Sequence, residues 1–542
     1  MGQVHGGRLV AQALRRHEID LVFTLCGGHI QAIYDGCLDE GIRVIDVRHE
    51  QTAGFAADAY ARVTGKPGVA LVTAGPGVTN TVTALANAQR AGVPLICIGG
   101  AGPKTLCDMG SLQDLDSVRL MRPVSKWSVQ IPEARRIKEY IDSAFRIARA
   151  GLPGPVYLEL PLDLLMDMAS DEDPRTRPSP PARPSPDPEA VAEAARLLKE
   201  AERPCFIVGS QIHWSPRRRI IEEAVDHFQM PFYLNGMARG ALHAEHPSLF
   251  AHSRRHALKR ADLVIVLGTP FDFRVDYGRS PTWNPSGKVV QVDLEPNELG
   301  RNRAVDLGIH GDSGLFLEQL MQQTEPERAP QWMEELRQLE SARRAAMQQE
   351  ISATSNPPNP LHVCHELGKR LGKEDILIGD GGDFVATAAY TIPISWPQIW
   401  MDPGPLGTLG VGPGYAMAAA LARPNSRVVI VFGDGSFGLN AMEFEALARH
   451  KLKVVAVIGN DAAWTQIRRG QVQLYGEERA VATRLDYTRY EQVVESLGGK
   501  GFYVERVKEL GPALDGAFAA EVPSCVNVKI ASSEFRKNAI SV

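Results

Sequence analysis

Two carboxylates at matched positions carry the clearest chemistry in this chain. Gly433-Asp434-Gly435-Ser436 follows the apolar run 428–432, and Asn460-Asp461 follows the apolar run 454–458. Each run reads as a parallel strand, because a strand covered on both faces loses its polar alternation. Open α/β sheets bind ligands at the carboxyl ends of their strands, where Asp434 and Asp461 sit. Gly435 and Ser436 open a helical pattern (Leu439, Met442, Phe444, Leu447) and are small enough to let backbone N–H groups approach an anion. A hard cation with oxygen ligands, lying beside a diphosphate, fits this arrangement.

The elements that must hold these residues recur along the chain. Up to about residue 170, short apolar runs (21–25, 44–47, 69–72 and 95–98) alternate with helical patterns, which predicts a doubly wound parallel sheet. Gly27-Gly28-His29 and Thr73-Ala74-Gly75-Pro76-Gly77 punctuate two strand ends, and His49-Glu50 opens a helix. Prolines at 174, 178, 180, 181, 184, 186 and 188 exclude helix and strand pairing, so 171–188 is a linker. A second α/β region over 189–330 has runs at 206–208, 263–267 and 289–292. After the last run, Asp293 and Glu295 either bind a nucleotide ribose or cap the next turn. Residues 331–352 read as a charged amphipathic helix, Asn356-Pro357-Pro358-Asn359-Pro360 marks a boundary, and 361–542 returns to α/β alternation. The predicted fold is α/β, with three doubly wound parallel-sheet domains at 1–170, 189–330 and 361–542.

Composition excludes several classes. Hydrophobic residues make up 44% and charged residues 23%, as in ordinary globular proteins, and a net charge of −5 gives no reason to expect a nucleic-acid partner. Seven cysteines occur without a C-x-x-C pair, which favours buried thiols in a reducing compartment over disulfides or a zinc site. The sequence has no basic-then-apolar leader and no run of 18 apolar residues, so the expectation is a soluble cytoplasmic protein with no membrane partner. Thr64-Gly65-Lys66-Pro67 is not a P-loop, and Gly410-Val411-Gly412-Pro413-Gly414 is not G-x-G-x-x-G, which disfavours a nicotinamide dehydrogenase.

Gly-Asp-Gly followed some two dozen residues later by Asn-Asn is the motif of thiamine-diphosphate enzymes. Gly433-Asp434-Gly435 with Asn460-Asp461 resembles it, with Asp461 in place of the family's second Asn. The resemblance covers nearly the whole chain and is strongest to acetolactate-synthase-like proteins and 2-hydroxyacyl-CoA lyases, with benzaldehyde lyase also near. Gly27-Gly28-His29-Ile30, Leu112-Gln113, Ser125-Lys126-Trp127 and Trp464 are similar to stretches of benzaldehyde lyase. The hexapeptide Arg-Val-Asp-Tyr-Gly-Arg at 274–279, residues 460–466 and Phe535-Arg536 resemble the lyases acting on 2-hydroxyacyl-CoA.

The resemblance implies pyrimidine-binding, central and diphosphate-binding domains in that order. It implies Mg²⁺ held by Asp434, Asp461 and the backbone carbonyl of Ala463. The cofactor's diphosphate is then cupped by Gly433, Gly435, Ser436 and the backbone of Gly382 and Asp383. Leu409 props the bent cofactor, and Trp464 forms a pocket wall. Thiamine diphosphate acts through a carbanion, and its deprotonation needs a carboxyl group on the aminopyrimidine, which the resemblance assigns to Glu50. His29 is placed to shuttle a proton on a substrate oxygen, and Gln113 to hold one by hydrogen bonding. The central domain takes ADP, FAD or nothing, and the assembly is a homodimer or homotetramer.

The expected activity is carbon–carbon cleavage of a small-molecule substrate, a 2-hydroxyacyl-CoA, to an aldehyde and formyl-CoA, with the reverse acyloin condensation. Acetolactate synthase and a benzaldehyde-lyase-type acyloin lyase are the alternatives within the class. A nucleotide-binding regulatory protein without catalysis is the alternative outside it. The tail 532–542, with Phe535, Arg536, Lys537 and Ile540, is expected to close over bound substrate.

Overall fold

The computed structural model describes residues 2–172, 181–325, 329–353 and 355–531. The tail 532–542 and part of the proline-rich linker lie outside them. Three parallel sheets organise the described residues. The first has six strands in the spatial order Arg43–Asp46, Leu21–Thr24, Gly68–Val72, Leu95–Ala101, Pro155–Pro161, Trp127–Gln130. The central sheet has five, in the order Phe232–Leu234, Pro204–Val208, Leu263–Leu267, Lys288–Asp293, Leu307–His310. The third again has six, in the order Ile399–Met401, Ile376–Asp380, Val428–Gly433, Val454–Asn460, Ser524–Lys529, Lys500–Val504. Every neighbouring pair in these sheets is parallel. Inner strands such as Gly68–Val72 and Val454–Asn460 are buried along their whole length, as helices on both faces require. A short antiparallel pair joins Gln3–His5 to Met168–Ser170.

The apolar runs announce most inner strands and miss most edges. Trp127–Gln130, Phe232–Leu234, Leu307–His310, Ile399–Met401 and Lys500–Val504 are all edge strands. Phe232–Leu234 and Ile399–Met401 are three residues long, too short to stand out as runs, while Trp127–Gln130 and Leu307–His310 mix polar with apolar residues. Leu307–His310 therefore extends the central sheet beyond 289–292, which the sequence offers as its last strand. Pro155–Pro161 is an inner strand hidden by its terminal prolines.

Numbered along the chain, both six-stranded sheets read 2-1-3-4-6-5. The likeness reaches single residues: Gly54 and Gly414, Gly75 and Gly435, and Asn80 and Asn440 are each 360 positions apart. Gly54 and Gly414 lie on corresponding helices, Glu50–Thr64 and Gly412–Ala422, which pack directly against each other. Gly412–Ala422 is apolar on every side, as a helix enclosed on all sides must be. A Cβ on Gly414 would lie 2.9 Å from the Thr52 carbonyl oxygen and 3.0 Å from Phe55 Cβ, so glycine sets the close approach. One apolar core runs through this contact, joining Phe23, Phe55 and Val78 to Ile378, Met417 and Phe432.

A buried polar junction sits beside that core. Arg62 donates to Asp58 Oδ1 at 2.6 Å, to the Tyr415 hydroxyl at 2.8 Å and to the Asp402 carbonyl at 2.7 Å. From the central region, His213 Nε2 meets the Arg62 carbonyl at 2.9 Å. Burial pushes His213 down to about 4, so its ring is neutral and donates through Nε2–H. The junction thus links residues from all three sheet regions.

Candidate active site

The segment 73–80, at the carboxyl end of Gly68–Val72, gathers the candidate residues of the first sheet. Thr73 Oγ1 lies 3.3 Å from His29 Nδ1. A Cβ on Gly75 (φ +57) would lie 2.8 Å from Gln113 Cβ, so Gln113 rests against this turn. Asn80 Nδ2 donates to Glu50 Oε2 at 2.9 Å. Glu50 and His29 are each 7% exposed, and Gln113 is half-buried with φ +63. Glu50 is the first residue of its helix because His49 Nδ1 caps the N–H of Gln51 at 3.1 Å. The structure therefore brings Glu50, His29 and Gln113 to one strand end. Sequence reasoning missed Thr73 and Asn80 as partners, since both look like ordinary turn residues.

The third sheet gathers the remaining candidates. Asp434 is 3% exposed; Gly435 N–H donates to its Oδ1 at 2.8 Å and Ala463 N–H to its Oδ2 at 3.2 Å. Asp461 Oδ2 accepts the Thr465 hydroxyl. Asn460 anchors the turn: its Oδ1 accepts Ala462 N–H at 3.2 Å and its Nδ2 donates to Asn527 Oδ1 at 3.1 Å. Ala462 adopts φ +54, a left-handed conformation that costs a non-glycine residue and persists where surroundings impose it. Leu485 N–H takes the Ala462 carbonyl, and Trp464 N–H donates to Thr483, which leaves the Ala463 carbonyl out of this bridge's hydrogen bonds.

Burial, then the charge of Asp461, pushes Asp434 up to about 7. Burial likewise pushes Asp461 up to about 6. The charge of Asp461 adds to the desolvation of Asp434, and that of Asp383 to the desolvation of Asp461, a penalty that a bound divalent cation would remove. The donor set of two carboxylates and a carbonyl fits a hard cation.

Glycines let the adjoining turns pack closely. A Cβ on Gly382 would lie 2.5 Å from Gln466 Oε1, one on Gly435 2.6 Å from the Trp464 ring, and one on Gly381 2.7 Å from Gly433 N. The Gly381-Gly382 and Gly433-Gly435 turns are thus adjacent, with Trp464 lying over Gly435. Asp383 pairs with Arg469 through two 2.7 Å contacts, so an acidic residue beside an anion site is already compensated. Asp380 fixes the neighbouring loop: its Oδ1 accepts Gly410 N–H at 2.9 Å and the Ser436 hydroxyl, and its Oδ2 accepts Gly412 N–H at 2.6 Å. Ser436 therefore has its backbone, not its hydroxyl, to offer an anion. Leu409, half-buried, is carried on the loop that Asp380 holds.

Both groups of residues lie in segments that match models of known families. The chain matches the models "Thiamine pyrophosphate enzyme, N-terminal TPP binding domain" over 4–120, "central domain" over 191–320 and "C-terminal TPP binding domain" over 380–528. It is 38% identical to 2-hydroxyacyl-CoA lyase 2 of Danio rerio, over 99% of this chain and 93% of that protein. It is 37% identical to the Homo sapiens protein of the same name, over 99% and 92%. It is 39% identical to an acetolactate synthase large subunit of Mycobacterium tuberculosis, over 97% and 95%. The chain belongs to the thiamine pyrophosphate enzyme family, and thiamine diphosphate is its cofactor.

Proposed function

We propose that the protein is a Mg²⁺-dependent lyase that cleaves a 2-hydroxyacyl-CoA to an aldehyde and formyl-CoA, and that runs the reverse condensation. The observation that carries this reading is the convergence of Glu50, His29 and Gln113 on segment 73–80, in a chain that matches lyases of that name from end to end. Bound thiamine diphosphate supplies a nucleophilic carbon and an electron sink. Glu50, with one oxygen held by Asn80, would be the carboxyl that exchanges a proton with the aminopyrimidine ring. His29, oriented by the Thr73 hydroxyl, takes the proton from the substrate hydroxyl as the aldehyde forms and returns it in condensation. Gln113 holds the substrate carbonyl oxygen. Asp434, Asp461 and the Ala463 carbonyl hold Mg²⁺, while backbone groups of Gly382, Asp383, Gly433, Gly435 and Ser436 hold the diphosphate. Leu409 and Trp464 supply the apolar walls.

Acetolactate synthesis is the second reading, because a synthase of that name matches at equal identity over the whole chain. The two groups of residues stand at the ends of different sheets, and exposed Leu439 and Met442 flank the Gly433–Ser436 turn. Both features support a homodimer or homotetramer in which subunits complete each other's site. In the central sheet, Asn235 Nδ2, Thr269 Oγ1, Asp293 Oδ2, Asp312 Oδ2 and Ser313 Oγ are buried at strand ends without hydrogen-bond partners. These orphaned groups support a nucleotide there, as ADP or as part of FAD.

The test is a substrate panel of 2-hydroxyacyl-CoA, pyruvate and benzoin, read by product mass. Formyl-CoA with the shortened aldehyde is expected. Acetolactate from pyruvate, with no formyl-CoA, would overturn the lyase reading.

A further inference from the structure

The turn that presents Glu50 is held from the third sheet. Glu443 opens the helix Glu443–Arg449, just after the short helix Asp434–Asn440 that begins with the Asp434 turn. Its side chain is 1% exposed and reaches a residue 395 positions away: both carboxylate oxygens accept Arg48 N–H, at 3.1 and 3.0 Å. Neighbouring contacts follow the same line. Asp46 Oδ1 accepts Arg449 Nη1 at 2.6 Å, its carbonyl meets His450 Nε2 at 3.0 Å, and Arg48 Nε lies 3.8 Å from Glu445. Residues 46–48, the link from strand Arg43–Asp46 to helix Glu50–Thr64, therefore lie along the helix Glu443–Arg449. A glutamate in the first turn of a helix has its ordinary role facing solvent. Burying this one pushes it up to about 7, a desolvation cost that a solvent-facing carboxyl avoids. That cost goes into fixing a backbone amide two residues before Glu50.

We propose that Glu443 is a positioning residue for Glu50. By holding Arg48 N–H it fixes the extended His49 (φ −149, ψ 138) from which Glu50 enters its helix, so that the Glu50 carboxyl is presented in one orientation. The proposal rests on reading Glu50 as the proton-exchanging carboxyl. It makes the Asp434 turn and the Glu50 turn of one chain a single mechanical piece.

Glu443→Ala and Glu443→Gln test it through three measurements. These are amide hydrogen exchange at Arg48 in the cofactor-free protein, calorimetric affinity for thiamine diphosphate with Mg²⁺, and the exchange rate of the reactive-carbon proton of the bound cofactor. In Glu443→Ala, Arg48 exchange should quicken and cofactor-proton exchange slow by about 10-fold or more each, the size of one lost charge-assisted hydrogen bond. Affinity for the cofactor should hold, and Glu443→Gln, which keeps an acceptor oxygen, should recover most of both rates. If the alanine variant does not fold, Glu443→Met against Glu443→Gln carries the same comparison. Wild-type cofactor-proton exchange in the variant lacking an acceptor overturns the proposal, as does a slowing that only tracks lost affinity. Glu50→Gln run in parallel separates the two readings. If it abolishes cofactor-proton exchange while Glu443→Ala does not, only the role of Glu443 falls; if it exchanges normally, both fall.

Discussion

Replacing Asp293 by Asn should stabilise the unliganded protein at neutral pH and leave it nearly unchanged in acid. The Asp293 carboxyl is fully buried at the end of strand Lys288–Asp293. Gln211 Nε2 and Glu295 N–H both donate to Oδ1 at 2.8 Å, while Oδ2 has no partner. Burial raises its pKa from the ordinary 3.8 to about 6. Between those values the unfolded chain has lost a proton that the folded chain still holds. Stability from this group is therefore complete below pH 3.8 and is lost as pH rises through about 6. A shift of about two pH units corresponds to roughly 3 kcal/mol. Asparagine keeps the Oδ1 acceptor and carries no charge, so the variant should gain up to that amount at about pH 7.5 and less than about 1 kcal/mol at about pH 4. For a domain of this size, the gain at neutral pH is roughly 6–12 °C in Tm. Thermal unfolding of both proteins at the two pH values, without nucleotide, measures it. A variant less stable than wild type at neutral pH, or a gap that does not shrink in acid, would refute the reasoning.

Three further outcomes are expected at the candidate site. Glu50→Gln should retain thiamine diphosphate affinity yet lose about 10²–10⁴ in turnover, because the amide fills the same space without exchanging a proton; steady-state rates beside calorimetry check this. Asp434→Ala should abolish Mg²⁺-dependent cofactor binding, since a hard cation loses a charged oxygen ligand, and a calorimetric titration showing unchanged affinity would sink the assignment. His29→Ala should lower kcat by about 10² or more with cofactor affinity retained, and a rate near wild type would make the contact with Thr73 merely structural.

How legible all this was in the sequence differs from element to element. Strands such as Leu263–Leu267 and Val428–Gly433 announce themselves because burial on both faces demands an unbroken apolar run. The Asp434 and Asp461 turns were legible because small residues and carboxylates follow such runs directly. Edge strands such as Leu307–His310 were hidden by their mixed composition, and Phe232–Leu234 and Ile399–Met401 by their shortness. The partners of the site residues were hidden for another reason. Asn80, Glu443 and Arg469 act on Glu50, Arg48 and Asp383 across 30, 395 and 86 positions, and no local pattern encodes which distant residues will meet. Ser436 was read as a small residue with a backbone N–H to offer, and its distant partner, the Asp380 carboxylate 56 positions away, was equally hidden.

The packing of Glu50–Thr64 on Gly412–Ala422 has a consequence for how the protein is made. Contacts separated by 360 residues carry a large loop-closure entropy and form late. At a synthesis rate of about 5–20 residues per second, Gly54 is joined to the chain roughly 20–70 s before Gly414. During that interval the first sheet presents the helix face of Thr52, Phe55 and Ala56 with its eventual cover not yet translated, while the central sheet can already close on itself. The nascent protein must therefore keep one helix face from premature association until its own last third arrives, which makes slow-downs in translation between the central and third sheets a route to aggregation rather than an aid to folding.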